Sequence, residues 1–505
     1  MADNILVEAD AGGMETVFSR QLKSLVPAIL FIAQAAFAQE TVERSGGCYS
    51  IVVGRNVSAD GWVMMAHNED DYIPQLVNHH KVPRMAHAPD EIVQLDNGGA
   101  IPQVPKTWAY IWSEIPGLLF SDSYLNEWGV CICSDACPSR EDQPELTAGG
   151  ITSALRRIVA ERATTARHGV RIAGELVERF GYASSGRTYI ISDPNEGWLF
   201  CAVNGKHWVA QRVPDNQVAL IANTYTVREI NLADTLNYLG TTHIIDYAVQ
   251  RGWYDPKTDG VFDFAQVYAD SETAVDERNI GRQWDGIRRV AAEPPASGER
   301  LPFSVKPKGK IAARDLMGIL RSHYEETKLY AVDSATGCPH GNRITPICRH
   351  DTQTSFIAQL RGNMPNEIGL VYWVCLSSPC ASCYIPFHFG LDSFPAHYSG
   401  ASAPPTEEAY QAIVDRPFAV DQTSAFWTFT SFRHLAEQHA EVASRARRLL
   451  DAVESGSLAE QPSVEAQTAS LFEQNRKKAL QLLADYSNET YAAAVDTLRR
   501  VQLAK

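Results

Sequence analysis

The sequence has few features that would place it on a membrane or on nucleic acid. After the first 38 residues it lacks an apolar run of the about 20 residues that a membrane-spanning helix needs. Its formal net charge of -15 disfavours nucleic acid, because proteins that bind nucleic acid usually present a basic patch. It also lacks phosphate-binding glycine loops and long-period repeats. With 45% hydrophobic residues, the chain is predicted to be globular with a large core.

The N-terminal segment resembles an export signal. Arg20 and Lys23 form a basic region, residues 25–35 form an apolar stretch too short to span a membrane, and residues 36–38 are a small-residue cleavage site. We therefore expect residues 1–38 to be a signal peptide and the protein to be periplasmic or secreted. The acidic leader before the second methionine fits a signal poorly and leaves the true start position open.

Cys48 is the residue that further processing would expose. Residues 39–47 are a nine-residue segment that ends in glycine, as expected of a short propeptide, and cleavage after Gly47 would free the amine of Cys48. An α-amine has a pKa of about 7.7 to 8 and a thiol one of about 8.5, so the amine can act as base for its own thiol. A lipidated cysteine and a buried structural cysteine are the alternatives; the polar stretch before Cys48 disfavours lipidation.

A predicted hairpin brings carboxylates to Cys48. Residues 49–54 and 62–66 have strand character, and residues 58–61 between them have turn chemistry. Antiparallel pairing places the start of the first strand opposite about residues 70 to 73, with a slip of about two residues allowed for a bulge. We therefore expect Cys48 to meet the polar run 67–71, and Asp70 to hold the ammonium that forms when the amine takes the thiol proton.

These segments resemble peptidase family C69, the dipeptidase A group related to the secernins, within the N-terminal-nucleophile hydrolases. The resemblance extends over roughly residues 48–389. Its further motifs occur in the family's order at 112–117, 126–130, 149–151, 155–157, 161–163, 212–215 and 221–223. It implies an α+β fold, a four-layer αββα sandwich with a catalytic core over 48–402. From residue 403 to 505 the chain is expected to be helical, packed on the core or forming a subunit contact in a homo-oligomer.

The resemblance also implies roles for particular residues. Cys48 is the expected nucleophile, Asp70 the partner of its α-amine, and Asn223 a ligand for the oxyanion or the substrate amide. His67 and Asn68 are expected to support the substrate side, although His67 stands where the superfamily usually has arginine and cannot make the contacts of a guanidinium. A further arginine is expected from the C-terminal half; Arg343 and Arg349 are the candidates, and Arg349 is preferred.

The implied activity is that of a cysteine dipeptidase acting on small peptides. An amidase acting on N-acyl amides and a non-catalytic, secernin-like scaffold are the alternatives. No cofactor and no metal are expected, because the spacing Cys380-x-x-Cys383 has no second pair to match it. An exported protein would more readily form a disulfide among its C-terminal cysteines, namely Cys338, Cys348, Cys375, Cys380 and Cys383.

Periodicity predicts the main elements of the later chain. Helices are expected at 151–163 and 165–180, and four successive strands at 187–192, 198–203, 208–213 and 218–222 should form an antiparallel meander. Residues 293–310 are expected to be a surface loop. Charged amphipathic helices are expected at 432–453 and 464–504.

Overall fold

The structure is a computed structural model that describes residues 47–503, except 72–75, 116–120, 297, 299, 342–343, 401–420 and 422. The expected signal peptide, the expected propeptide up to Gly46, and Arg343 therefore lie outside the described residues. Among the helices that the structure describes, none is long and apolar enough to cross a membrane.

The strands follow one another along most of the described chain. They are β1 (Tyr49–Val53), β2 (Met64–Asp70), β3 (Asn78–Val82), β4 (Met85–Ala86), β5 (Ile92–Gln94), β6 (Ala100–Pro102), β7 (Lys106–Thr107), β8 (Tyr110–Glu114), β9 (Ser121–Asn126), β10 (Cys131–Ala136), β11 (Tyr182–Ser192), β12 (Gly197–Gly205), β13 (Trp208–Arg212), β14 (Val218–Ile221), β15 (Tyr238–Gly240), β16 (Thr352–Leu360), β17 (Leu370–Leu376) and β18 (Ile385–His388).

The helices lie between and after these strands. They are α1 (Ala154–Arg162), α2 (Ala166–Phe180), α3 (Ile244–Gln250), α4 (Phe264–Tyr268), α5 (Ser271–Ala274), α6 (Glu277–Val290), α7 (Ala313–Leu320), α8 (Asn366–Gly369), α9 (Ala396–Ser399), α10 (Ala425–Gln438), α11 (Ala440–Phe472) and α12 (Arg476–Leu503). Short 3-10 helices occur at Pro339–Gly341 and Pro379–Ala381.

Two antiparallel sheets form the centre of the molecule. One has six strands in the order β14-β1-β2-β16-β17-β18, and the other has eight in the order β15-β13-β12-β11-β10-β9-β8-β3. Two further pairs, β4 with β7 and β5 with β6, form small separate sheets.

Alternation along each strand explains the layers, because successive side chains point to opposite faces of a sheet. In β1, Val52 joins the core between the two sheets, whereas Ile51 and Val53 join a second core with helices α6 and α7. In β11, Ile190 faces the core between the sheets, whereas Ile191 packs with helices α1 and α2. Both sheets are thus covered by helices on their outer faces, and the expected αββα sandwich is confirmed.

The two expected helices near residue 160 are confirmed as α1 and α2. The Thr165 side chain accepts a hydrogen bond from the His168 N–H and caps α2 at its N-terminus. Gly181 follows the helix with φ +82°, a conformation that side chains with a Cβ rarely adopt.

The expected four-stranded meander is wrong in its last strand. β11, β12 and β13 are neighbours in the eight-stranded sheet, but β14 pairs with β1 in the other sheet. The outer neighbour of β13 is instead the short strand β15. Turn residues at 214–216 are equally compatible with a hairpin and with a crossing between layers, so this local signal does not specify the partner strand.

The C-terminal helices differ from the expectation at Pro462, because α11 continues through this residue. A proline inside a helix costs about 3 kcal/mol. Buried contacts hold the helix on both sides of it: Gln461 donates to the side chain of Gln359 at 2.9 Å, and Glu465 pairs with Arg361 on the six-stranded sheet. Tertiary contacts therefore override the local preference.

Glu465 generates a prediction about stability. It accepts hydrogen bonds from both terminal nitrogens of Arg361, at 2.8 and 2.5 Å, and lies 3.1 Å from His388 Nε2. Because removing one partner of a buried pair leaves a charge unpaired, Glu465→Ala should lower the free energy of unfolding by about 3 to 5 kcal/mol, measured by urea denaturation. Asp496→Ala, which breaks an exposed pair with Arg500 on α12, is the control and should cost at most about 0.5 kcal/mol. Equal losses in the two variants would contradict the prediction.

The same carboxylate should make stability depend on acid pH. Burial raises the pKa of Glu465, but hydrogen bonds from His388 and Arg361 outweigh burial and lower it from 4.5 to about 2. Its stabilisation is therefore complete above the ordinary pKa and is lost as pH falls towards 2. In Glu465→Gln, the decline in unfolding free energy between pH 4.5 and 2 should be shallower than in the wild type.

Candidate active site

Cys48 immediately precedes β1, the strand that lies between β2 and β14. β1 pairs with β2 in the register Tyr49 to Asn68, and with β14 in the register Ser50 to Ile221. Continuing each ladder by the next residues sets Cys48 opposite Glu69 on one side and opposite Asn223 on the other. The thiol is 4% exposed, and its Sγ lies 3.9 Å from the backbone oxygen of Asp70. The predicted meeting of Cys48 with the polar end of the second strand is confirmed.

The Asp70 carboxylate is buried beside this cysteine with one oxygen unsatisfied. Its Oδ1 accepts a hydrogen bond from Thr352 Oγ1 at 2.5 Å, whereas its Oδ2 has no hydrogen-bond partner among the described residues. The guanidinium of Arg349 lies beside it, with its Nε 4.0 Å from Oδ2. Burial raises the pKa of Asp70 to about 8, although Arg349 and the Thr352 hydrogen bond act against it. The unsatisfied oxygen is therefore suited to a further cation.

Gly47, which precedes the cysteine, is pressed against the same groups. A Cβ built on Gly47 would overlap the guanidinium of Arg349 and lie 2.9 Å from the Cβ of Asp70. A side chain at residue 47 would therefore displace the Arg349 guanidinium while the chain is continuous here. Arg349 itself is held by Asp351, with its Nε 2.7 Å from Asp351 Oδ1.

Arg282 on α6 is the site residue that the sequence analysis missed. Its side chain is 1% exposed, and Nη1 donates to the backbone carbonyls of Gly47 and, at 3.0 Å, of Cys48. Nη2 donates to Asn223 Oδ1 at 2.7 Å and to Asn279 Oδ1 at 2.8 Å. One guanidinium thus holds the cysteine backbone and the Asn223 amide together.

The only sequence signal for Arg282 is weak. Asn279 and Arg282 are three residues apart, so they share a face of α6. That face of α6 contacts the end of β14 and residue 47. Both are distant from α6 in the sequence, so no local pattern predicts these contacts. Arg349, preferred from the sequence, does lie beside Gly47 and Asp70, but the carbonyl contacts are made by Arg282.

Asn223 follows β14 and has hydrogen bonds on both ends of its amide. Its Oδ1 accepts from Arg282, and its Nδ2 donates to the backbone oxygen of Ala136 at 3.0 Å. Since an amide nitrogen carries two hydrogens, Nδ2 retains one further donor. The geometry is compatible with a donor for a developing oxyanion, and that role stays a prediction.

His67 lies on the face of the six-stranded sheet that is turned towards the eight-stranded sheet. Its Nδ1 is 2.8 Å from Ser50 Oγ, and its Nε2 is 3.1 Å from Glu69 Oε2 and 3.3 Å from Asp122 Oδ1. Burial lowers the pKa of His67, but Cys133, Asp122 and Glu69 together outweigh burial and raise it well above the usual value. The imidazole is therefore favoured in its charged form, so it can supply the charge of the usual arginine though not its planar contacts.

Asn68 faces the helical layer instead. Its amide nitrogen donates to the backbone oxygens of Leu320 at 3.0 Å and Ile347 at 3.1 Å. These bonds tie β2 to the end of α7 and to the segment that leads to Arg349. The expected substrate-side role of Asn68 remains a prediction. The contacts of its side chain are structural, because they join backbone segments to each other.

Electrostatics disfavour ionisation of the Cys48 thiol in this state of the chain. Burial raises its pKa well above the usual value, and the carboxylates of Glu69, Asp135 and Asp70 add to this, with His67 opposing. A nearby base is therefore needed to make the thiolate. Cys48, His67 and Glu69 also offer three potential metal-ligand atoms within 4.8 Å of one another, but both ring nitrogens of His67 already have hydrogen-bonding neighbours.

Comparisons with known proteins show the family to which the chain belongs. The family model described as Peptidase family C69 matches residues 140–451, more than half of the chain. The chain belongs to peptidase family C69. The match begins after Cys48 and Asp70, so it carries the family membership and leaves the roles of those two residues open.

Relatives of the peptidase bear dipeptidase names. It is 25% identical to a probable dipeptidase of Latilactobacillus sakei over 78% of this chain and 81% of the relative. It is 28% identical to a probable dipeptidase of Salmonella dublin over 68% of this chain and 81% of the relative. A dipeptidase of Bifidobacterium longum is 24% identical over 72% of this chain and 75% of the relative.

The solved structures to which the chain is similar are more distant in sequence. Penicillin V acylase from Agrobacterium tumefaciens is 12% identical, with a TM-score of 0.35, over 68% of this chain and 86% of that chain. A conjugated bile acid hydrolase from Clostridium perfringens is 10% identical, with a TM-score of 0.33, over 68% of this chain and 92% of that chain. The fold assignment rests on the layers of the peptidase itself.

The unsatisfied oxygen of Asp70 generates a prediction. Asp70→Asn keeps the shape and the contact with Thr352 but removes the charge, so kcat should fall by roughly tens- to thousands-fold, the scale of positioned acid and base groups. KM should change less. Steady-state kinetics on a dipeptide would measure both constants, with Asp71→Asn as the control. Equal, small effects of the two substitutions would show that Asp70 is not the carboxylate partner of Cys48.

Arg282 generates a second prediction. Arg282→Lys keeps the charge but cannot reach the Gly47 and Cys48 carbonyls and two asparagines at once, because an ammonium lacks the planar fork of a guanidinium. Turnover should fall at least about tenfold, as expected when reacting groups lose their positioning. Arg278→Lys, one turn earlier and paired with Asp276 on the surface, is the matched control and should retain activity. Wild-type turnover in Arg282→Lys would exclude Arg282 from the site.

Proposed function

We propose that this peptidase is a cysteine dipeptidase in which Cys48, freed at its amine by cleavage after Gly47, is the nucleophile. The observation that carries the proposal is the buried Asp70 oxygen without a hydrogen-bond partner among the described residues, on a side chain that packs against Gly47, the residue before Cys48. An α-ammonium at residue 48 is a cation of the right charge for that oxygen. The dipeptidase names of the relatives support the substrate class.

The proposed first half-reaction consumes the thiol proton. The α-amine of Cys48 takes the proton from Sγ, and the thiolate attacks the carbonyl carbon of the substrate amide. Negative charge then develops on the carbonyl oxygen, where the remaining N–H of Asn223 is the proposed donor. Asp70 stabilises the α-ammonium, which passes its proton to the leaving amine as the C–N bond breaks and a thioester forms.

The second half-reaction reverses the roles. The α-amine, now neutral, takes a proton from water, which attacks the thioester carbon. The C–S bond breaks, the acid product leaves, and the thiol is restored with the proton returned from the ammonium. Thiol and amine thus supply nucleophile and base from a single residue, and no step needs a metal.

The buried charges favour an enzyme over the non-catalytic scaffold. A scaffold has no need to keep four ionisable side chains and an unsatisfied carboxylate oxygen around one thiol, because burying polar groups without full compensation costs free energy. No contact of the described residues favours an N-acyl amide over a dipeptide. Glu69, the carboxylate opposite Cys48 on β2, already pairs with His67.

Maturation is tested on the exported protein. Intact-mass analysis of active enzyme should give a chain that starts at residue 48, because only then is the α-amine of Cys48 free to act as base. Active enzyme that starts at Gln39 would overturn the proposed base. A mature chain that starts at residue 48 is consistent with export, and export is part of the proposal.

The nucleophile is tested by substitution. Cys48→Ser should lose most hydrolysis of a dipeptide panel while its thermal unfolding stays unchanged, because a hydroxyl is far less ionised than a thiol near neutral pH. Cys131→Ala, which removes another buried thiol, is the control and should keep its activity. Full activity of Cys48→Ala would place the nucleophile elsewhere. Hydrolysis of N-acyl amides in preference to dipeptides would favour the amidase alternative.

A further inference from the structure

Two histidines and two cysteines converge outside the candidate active site. They are His323, His340, Cys348 and Cys380, and each offers one ligand atom within 4.8 Å of the other three. His340 Nε2 lies 3.3 Å from Cys380 Sγ and 3.8 Å from Cys348 Sγ. His323 follows α7, His340 and Cys380 lie in the two 3-10 helices, and Cys348 precedes β16. Residues distant in sequence therefore meet at one point.

Carboxylates orient both imidazole rings towards the thiols. His323 Nδ1 is 3.1 Å from Glu325 Oε1, and His340 Nδ1 is 2.9 Å from Glu437 Oε1. This leaves the Nε2 atom of each ring for another partner. His323 is 4% exposed, and its Nε2 is buried with no hydrogen-bond partner in the part of the chain that the structure describes.

This donor set matches one class of ion. Two thiolates with two imidazoles are the ligands of tetrahedral structural zinc, whereas hard cations such as calcium and magnesium take oxygen ligands. Zinc-binding histidines also typically give their second ring nitrogen to a carboxylate, as Glu325 and Glu437 provide here. We propose that His323, His340, Cys348 and Cys380 bind a structural zinc ion.

The structure changes the interpretation of the cysteine spacing. Cys380 and Cys383 do not act as a pair, because Cys383 Sγ is turned towards the Tyr384 backbone oxygen at 3.9 Å and lies in the core between the sheets. All ten cysteines are free thiols in the structure, so the expected disulfide among the C-terminal cysteines is not formed in it. The sequence analysis missed the site because its ligands do not occur as two closely spaced pairs.

The zinc would fasten the segment that carries Arg349. Cys348 is the neighbour of Arg349, and its N–H donates to the Ser322 backbone oxygen at 3.0 Å. A cavity of about 450 Å³ borders His323, His340 and Cys380 and supplies a path for the ion. The ion would cross-link α7, both 3-10 helices and the start of β16. Its role is structural, and it is independent of the proposed chemistry at Cys48.

The test uses the purified full-length protein under reducing conditions. Elemental analysis by mass spectrometry should find one zinc ion per chain. Removing it with a strong chelator should lower the melting temperature by several degrees, and adding zinc should restore it. Cobalt(II) added to the chelated protein should give the visible bands of a tetrahedral site and a thiolate-to-metal charge-transfer band.

Variants identify the ligands. Cys380→Ser and His340→Gln should each lose the bound zinc and weaken or abolish the charge-transfer band of the cobalt form. Cys383→Ser, from the same Cys-x-x-Cys segment, should keep the zinc and the full band. Absence of zinc after incubation of the reduced wild-type protein with zinc would overturn the proposal. A disulfide between Cys348 and Cys380 in protein isolated without reductant would also overturn it, if that protein takes up no metal after reduction. Because metal content, melting temperature and the cobalt spectrum are measured on the wild type, they decide the matter even if a variant fails to fold. None of them depends on peptidase activity.

Discussion

The pairing of β1 between β2 and β14 is the constraint on which the candidate site depends. Two ladders of backbone hydrogen bonds set the position of Cys48 from both sides, so its thiol lies 3.9 Å from the Asp70 backbone oxygen and its carbonyl shares Arg282 with Asn223. A slip of one residue would turn every side chain of β1 to the opposite face and remove its apolar residues from two cores. The burial of β1 therefore also fixes the position of Cys48, the residue that precedes it.

Ionisable side chains are buried on both faces of the three strands β2, β1 and β14, and each face has its own cationic side chains beside the carboxylates. On the helical face, Arg282 and Arg349 surround the Gly47–Cys48 peptide and Asp70. Between the sheets, the raised pKa of His67 favours a cation among Glu69, Asp122 and Asp135. The site thus places a thiol that resists ionisation near a carboxylate with one oxygen unsatisfied, and a single α-amine at residue 48 would meet both needs.

The segment 344–352 connects this site to the proposed zinc ligands. Asn68 binds the backbone of Ile347, Cys348 reaches the histidines, and Arg349 packs on Gly47. A loop without regular secondary structure has little rigidity of its own, so contacts along its length must hold the guanidinium in place. A metal beside Arg349 would be one such contact, which gives a structural ion a place in a peptidase whose proposed chemistry at Cys48 uses none.

Local chemistry in the sequence determined much of this protein. Alternating apolar residues and turn residues predicted β1, β2 and their meeting, the helices α1 and α2, and, with the family resemblance, the αββα layers. Tertiary structure alone decided that β14 leaves the meander, that Arg282 holds the Cys48 backbone, and that Cys380 faces two histidines instead of Cys383. The reason is physical: hydrophobic periodicity records which face of an element is buried, whereas the identity of its partner depends on packing between segments distant in sequence, which no local pattern encodes.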